Sequence, residues 1–155
     1  MDKELKLFVN FLGQVRNYSE HTVKNYSADL RKFEIFCQQK NFKSWSDLTH
    51  HDVRDFISQV RRNGTSPRSL ARLLSSLRSF YKFLRNEGLA TNDPTAGINS
   101  PKLSSLLPKA MDADMVNRLL DFKPNSWGDY RDKAIAELLY SSGLRLSELC
   151  QLDMA

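Results

Sequence analysis

The stretch from Pro67 to Asn86 limits the fold more than any other part of the sequence, because it presents a continuous apolar surface at helical spacing. At about 100° per residue, the apolar side chains occupy one broad arc and require burial against other elements. The arc consists of Leu70, Leu73, Leu74, Leu77, Phe80, Tyr81 and Leu84. This pattern predicts a helix that is packed inside a bundle of helices.

The opposite side of this stretch is cationic, and we call it the basic line. It consists of Arg68, Arg72, Ser75, Ser79, Lys82 and Asn86, which all fall within about 40° of one line along the helix. Solvated helix faces usually mix charges in i, i+4 pairs, yet no Asp or Glu occurs from Pro67 to Asn86. The missing countercharge favours a polyanionic partner, and we predict that the basic line contacts DNA phosphates and base edges. An ordinary basic surface helix is the alternative.

Apolar spacing predicts one earlier helix, and capping residues mark two more. We expect them to run over about residues 2–14, from Ser19 as N-cap to about 39, and from Thr49 as N-cap to about 62. Thr49 and Asp52 have the spacing of an imperfect capping box, and Pro67 can occupy the first position of the fourth helix. Four helices with short connections predict a compact four-helix bundle.

The second predicted helix has a weaker basic face. Lys24 and Arg31 share its polar half, but Asp29 and Glu34 are close by in the sequence. We predict that Lys24 and Arg31 contact phosphates, with a solvated face as an equal alternative.

Composition narrows the class of protein. No stretch approaches the roughly 18 apolar residues of a membrane span, and the start MDKELKLFVNFL lacks a signal-peptide layout. We therefore expect a cytoplasmic protein without a membrane partner. Residues 1–100 hold 16 Lys or Arg against 10 Asp or Glu, whereas residues 101–155 hold 7 against 8. The basic excess lies entirely in the first hundred residues, which again indicates a polyanion.

The cysteines and histidines predict neither a disulfide nor a metal site. Cys37 and Cys150 are far apart in helix-like patterns, and we expect both to be reduced core thiols. Each histidine stands at or near a predicted helix start without a second ligand at a metal spacing; they are His21, His50 and His51.

The helical pattern stops between residues 91 and 109, where Pro, Gly, Ser and Asn predict a linker. Beyond it we expect helices at about 112–120 and 129–142, and the start of another near Ser147. The 45 residues from 111 to 155 hold too few apolar stripes for an independent core, so they predict the start of a larger domain. The predicted division is a domain at 1–98, a linker at 99–110 and a truncated domain at 111–155.

Three segments resemble the tyrosine site-specific recombinases, particularly the bacterial Xer type. SEHTVKNYSADLRKFEIFC is similar to that family's N-terminal signature, and NDPTAGINSPKLSSLLPKAM is similar to its interdomain linker. RDKAIAELLYSSGLRLSEL is similar to its first catalytic box. The likeness runs in order through nearly the whole chain.

The resemblance implies an all-α chain, with a core-binding bundle of SAM-like type followed by the first helices of a catalytic domain. It also implies duplex DNA as partner, with four recombinase subunits acting on two recombination sites. In that family a tyrosine attacks the scissile phosphate and forms a 3′-phosphotyrosyl link, which a 5′-hydroxyl then resolves. No nucleotide cofactor or metal is consumed. Chromosome dimer resolution and DNA integration both stay open.

Arg145 matches the first catalytic arginine of that family, and Glu148 matches its acidic neighbour. A guanidinium offers paired donors to the charge that develops on a phosphate under attack, and the turn at Gly143 places Arg145 at a helix end. The family's other catalytic residues follow this arginine, whereas here ten residues follow it. We therefore expect this chain alone to bind DNA without cleaving it, as an N-terminal fragment. Tyr130 and Tyr140 precede Arg145 and are expected to serve in packing.

Two alternatives stay open from the sequence. One is a naturally short protein that occupies recombination sites without cutting them. The other is a helical module whose basic face meets an acidic protein. Binding to duplex DNA separates the second alternative from the rest.

Overall fold

All secondary structure is helical in the residues that the computed structural model describes, 1–102 and 111–153, which confirms the all-α prediction. None of the helices in these residues has the length and apolar content to cross a membrane. The contacts divide the chain into two units, Met1–Ser105 and Leu106–Ala155. The α-helices are α1 (Asp2–Gln14), α2 (Glu20–Gln39), α3 (His50–Arg62), α4 (Pro67–Asn86), α5 (Ala113–Leu120), α6 (Trp127–Ser142) and α7 (Leu146–Leu149).

The first four helices begin and end close to where the sequence predicts, and the predicted caps form at α2, α3 and α4. The hydroxyl of Ser19 accepts a hydrogen bond from a backbone N–H at the start of α2, and Ser66 does the same for α4. At α3 the capping box is complete, with the Asp52 carboxylate accepting from the backbone N–H of Thr49 at 2.8 Å. These bonds satisfy donors that the helix leaves open.

Helix α4 is the centre of the first unit and contacts α1, α2 and α3. Aromatic rings pack between the helices. The ring centroids of Phe8 in α1 and Phe80 in α4 are 5.3 Å apart, and those of Phe33 in α2 and Phe56 in α3 are 4.9 Å apart. The whole predicted apolar arc of α4 is buried. The basic line is therefore turned outward by the burial of the opposite side.

A 3-10 helix at Trp45–Asp47, which the sequence analysis did not predict, completes this core. Trp45 is 3% exposed and meets Phe80 edge to face at 4.9 Å. The hydroxyl of Tyr81 donates to the carbonyl of Trp45 at 3.2 Å. Ser44 and Asp47 form a capping box of their own, a spacing visible in the sequence. The connection between α2 and α3 is thus part of the core.

The chain after α4 packs back onto the same bundle. Ala90, Pro94, Thr95 and Ile98 are buried, and the Asn92 side chain donates to the carbonyl of Leu48 at 2.8 Å. Residues 91–98 therefore belong to the first unit, although their sequence lacks a helical pattern. Residues 103–110, most of the predicted linker, lie outside the described residues. The boundaries predicted at residues 98 and 110 stay predictions.

The two cysteines differ from each other. Cys37 is a free, buried thiol, as predicted, and burial raises its pKa to about 12. Cys150 is free but exposed, so the prediction of a core thiol is wrong there. It follows the short helix α7 in a unit whose described residues bury no side chain.

In the second unit, α5 and α7 each contact α6. Helix α6 begins at Trp127, two residues earlier than predicted, because Ser126 and Asp129 form a capping box. Tyr130 and Tyr140 are 63% and 52% exposed, so the prediction that they are packed is wrong for the described residues. Two short helices, α5 and α7, cannot cover all sides of α6.

The capping box of α3 makes a pH-dependent contribution to stability. The hydrogen bond from the Thr49 hydroxyl, helped by that from its backbone, holds the pKa of Asp52 below its ordinary value of 3.8. Asp52→Asn should therefore lower the free energy of unfolding by about 1 kcal/mol near neutral pH. Because the folded pKa is depressed, this difference should shrink as pH falls below 3.8 and Asp52 becomes protonated.

Urea denaturation of both proteins across this range measures the difference. Asp55→Asn is the matched control, since Asp55 is an exposed carboxylate on the same helix. Equal effects of the two substitutions at neutral pH would contradict a stabilising box.

Candidate nucleic-acid interface

The two ends of the basic line are exposed cations. Arg68 lies in the first turn of α4 and Lys82 near its other end, and both are exposed. Neither makes an ion pair or side-chain hydrogen bond within residues 1–102 and 111–153. Their charges are thus available to a ligand. Between them on the line, Ser75 is exposed and Ser79 is half-buried.

Arg72, in the middle of the line, is held by a carboxylate of α2. Its Nε donates to Oδ2 of Asp29 at 2.9 Å, and its Nη2 donates to Oδ1 at 3.2 Å. Asp29 is 2% exposed, whereas the Arg72 side chain is 41% exposed. The hydrogen bonds to Asp29 raise the pKa of Arg72 above its ordinary value. A buried carboxylate without this partner would be costly, so the pair ties α2 to α4.

The expectation that the cations of α4 have no countercharge in this chain is wrong for two of them. It holds along the helix but not in the fold, because other segments supply partners. Arg72 pairs with Asp29, and Arg85 lies 3.9 Å from the carboxylate of Asp93. Arg78 donates to the carbonyl of Ile98, and to Ser100 at 3.3 Å. Among the cations of α4, Arg68 and Lys82 alone lack a partner in the part of the chain that the structure describes.

A second polar contact joins α2 to the basic line. The hydroxyls of Tyr26 and Ser75 are 3.2 Å apart. Tyr26 lies three residues before Asp29, so both side chains come from the face of α2 that packs on α4. This contact fixes the position of a small residue that lies between the long cations of the line.

Lys24 and Arg31 are exposed on α2, but the structure does not bring them to the basic line. By helical geometry they lie about 140–160° around α2 from Tyr26, which contacts α4. Arg31 instead lines a small cavity with Asp2 and other residues of α1. Their predicted phosphate contacts stay a prediction, and the contacts of α4 do not support it.

The ion pair between Asp29 and Arg72 was not predicted from the sequence. A signal was present, since Asp29 lies three residues after Tyr26 and four before Phe33, and so within the apolar arc of α2. An acid at such a position needs a cationic partner from another element. The helical pattern does not identify that partner, because Arg72 is 43 residues away in the sequence.

Arg145 is the N-cap residue of α7 and follows Gly143, which ends α6 in the left-handed conformation with φ of 67°. Glu148 accepts from the Arg145 backbone N–H at 2.8 Å and from its Nη1 at 3.0 Å. These two bonds, the backbone one first, lower the pKa of Glu148. The Arg145 side chain is 82% exposed. Glu148 thus orients an arginine whose other donors make no hydrogen bond within residues 1–102 and 111–153.

Comparison with known proteins identifies the family. Residues 5–88 match the model of the "Phage integrase, N-terminal SAM-like domain", and residues 109–155 match that of the "Phage integrase family". The chain belongs to the phage integrase family. The prediction of a tyrosine recombinase from three sequence segments is confirmed, including the Xer type and the four-helix domain of SAM-like type.

The relatives support the same assignment within the phage integrase family. "Tyrosine recombinase XerC" of Pseudomonas syringae pv. syringae (strain B728a) is 44% identical over 155 residues, covering 99% of this chain and 52% of that protein. The protein of the same name from Azotobacter vinelandii (strain DJ / ATCC BAA-1303) is 43% identical over 155 residues, with the same two coverages. The chain spans about half the length of the curated relatives it matches. No solved structure matches it significantly.

The phage integrase matches include both candidate sites. The basic line and Asp29 lie within the matched N-terminal domain, and Arg145 lies within the matched catalytic-family segment.

Removing the Arg72 side chain should destabilise the first unit, because it leaves the Asp29 carboxylate buried without a partner. We expect Arg72→Ala to lower the free energy of unfolding by about 2–4 kcal/mol. Arg68→Ala, which removes an exposed cation from the same helix, should change it by less than about 0.5 kcal/mol. Urea denaturation measures both. A similar effect of the two substitutions would show that the ion pair carries no stability.

Proposed function

We propose that this chain acts in site-specific DNA recombination and that its first unit binds duplex DNA through the basic line of α4. The observation that carries the proposal is that Arg68 and Lys82 are exposed and have no ion-pair partner among residues 1–102 and 111–153. They lie on the outer side of a helix whose inner side is buried in the core. Exposed cations without a partner favour a polyanion, because no contact within the described residues has to be displaced.

The dimensions of α4 suit a DNA groove. Arg68 and Lys82 are separated by about 21 Å along the helix axis, at about 1.5 Å per residue. A major groove is about 12 Å wide and admits an α-helix. The end cations can therefore reach phosphates on both sides of the groove, while Arg72, Ser75 and Ser79 face its floor. Phosphate contacts fix the position of the helix, and the middle residues reach base edges.

For the second unit we propose that Arg145 binds the phosphate at which strands are cut and rejoined. Its Nη1 is oriented by Glu148, and the exposed remainder of the guanidinium offers paired donors to non-bridging oxygens. Negative charge on these oxygens grows in the transition state, where fixed donors are most effective. For residues 1–155 we propose DNA binding and this one catalytic group.

Cleavage and rejoining through a 3′-phosphotyrosyl link are proposed for the whole recombinase, as are the four subunits on two DNA sites and action in the cytoplasm. The chain's relatives carry the name "Tyrosine recombinase XerC", which supports recombination as the process. An acidic protein as the partner of the basic line is the competing proposal, and duplex binding separates the two.

Binding of the 155-residue chain to duplex DNA should weaken steeply as salt rises, because phosphate contacts release counterions. Lys82→Ala should make the slope of log K against log salt shallower by about one. Lys3→Ala removes the same charge from α1 and should leave the slope unchanged. A fluorescence titration at several salt concentrations measures the slopes. Equal slopes for Lys82→Ala and the unsubstituted chain would place α4 away from the DNA.

Arg145→Ala should leave the affinity of the chain for duplex DNA within about twofold of its original value, because the proposed role of Arg145 arises in the transition state. The same titration tests this expectation, with Lys82→Ala as the comparison that does weaken binding. A loss from Arg145→Ala as large as that from Lys82→Ala would instead make Arg145 an ordinary binding residue.

A further inference from the structure

The hydrogen bonds between Arg72 and Asp29 use one edge of the guanidinium and leave another open. Nε and one N–H of Nη2 face the buried carboxylate. The remaining edge, formed by Nη1 and the second N–H of Nη2, donates no hydrogen bond within residues 1–102 and 111–153. Because the Arg72 side chain is 41% exposed while Asp29 is 2% exposed, the open edge lies toward solvent.

The charge of this pair differs from that of the other cations on the basic line. Asp29 neutralises Arg72 at a distance of 2.9 Å, so the pair attracts a phosphate far less than Arg68 or Lys82 does. The donors on the open edge are unaffected in number and are fixed in direction. A neutral pair with two parallel, oriented donors is poorly suited to phosphate attraction and well suited to directional hydrogen bonding.

We propose that Asp29 is a positioning residue that makes Arg72 a reader of guanine. This inference rests on the proposed function, in which the basic line faces a DNA groove. Guanine presents O6 and N7 as adjacent acceptors in the major groove, and a guanidinium edge donates to both at once. A freely rotating arginine would lose conformational entropy on binding, whereas Arg72 is already held by a buried group. Arg72 then contributes to sequence preference, and Arg68 and Lys82 contribute to general affinity.

The proposal predicts opposite effects of Asp29→Asn on two DNA probes. The first probe is a pool of randomised duplexes, and the second is the duplex that the unsubstituted 155-residue chain selects from that pool. Asp29→Asn should reduce the preference for the selected duplex by about tenfold, since one bidentate contact discriminates by about that factor or more. Affinity for the unselected pool should stay equal or rise, because a negative charge is removed. A purely structural role of Asp29 would lower both affinities together.

Glu34→Gln is the matched control, because Glu34 is the other buried carboxylate of α2 and makes no ion pair in the described residues. It changes the net charge equally and should leave the preference unchanged. Arg72→Lys is the second variant: it keeps the positive charge beside Asp29 but lacks the paired edge, so it should lose the preference without unfolding. Circular dichroism checks the fold of each variant. If Asp29→Asn does not fold, the preference of Arg72→Lys for the selected duplex is the deciding measurement.

The selected duplex should contain a guanine whose replacement costs the unsubstituted chain about tenfold in affinity and costs Arg72→Lys little. An unchanged preference in folded Asp29→Asn or in Arg72→Lys would overturn the inference. So would the absence of any selected sequence while the chain still binds the pool in a salt-dependent way, a result that supports the proposed function. Failure to bind any duplex at low salt would overturn the proposed function itself.

Discussion

Burial of the apolar side of α4 is the constraint on which the rest of the first unit depends. Because α4 packs against α1, α2 and α3, the rings of Phe8, Phe80 and Trp45 meet around one helix. This packing determines which side of α4 faces solvent and therefore where its cations can act. The central helix serves both as the main element of the core and as the candidate binding surface, so its two sides cannot be changed independently of each other.

The fold divides the cations of α4 into two groups. Arg72, Arg78 and Arg85 have partners from α2 or from the segment after α4, whereas Arg68 and Lys82 have none among the described residues. A count of charges along the sequence of α4 does not distinguish these two groups of cations. The contacts show instead that three arginines hold neighbouring segments to α4, while the charges of Arg68 and Lys82 are not offset by a partner in the described residues.

Local signals predicted most of the helices, since caps such as Ser19, Thr49 and Ser66 act within one turn. The 3-10 helix around Trp45 was missed because a short turn has no periodic pattern to detect. Asp29 was missed for a different reason. Its position in the apolar arc is local information, but its partner Arg72 is set by the packing of two helices. The prediction of Arg145 as a catalytic residue came from resemblance and stays a prediction, since an exposed arginine after a glycine has no distinctive pattern of its own.

The bonds from Arg78 to Ile98 and Ser100 hold the segment after α4 against the central helix. Measured from the end of α4 at Asn86, the 14 residues to Ser100 could otherwise extend by roughly 45 Å. The hydrogen bonds from Arg78 keep this segment folded back on α4, so it does not reach that length. Residue 100 is therefore anchored to the central helix although it lies 14 positions beyond the end of that helix.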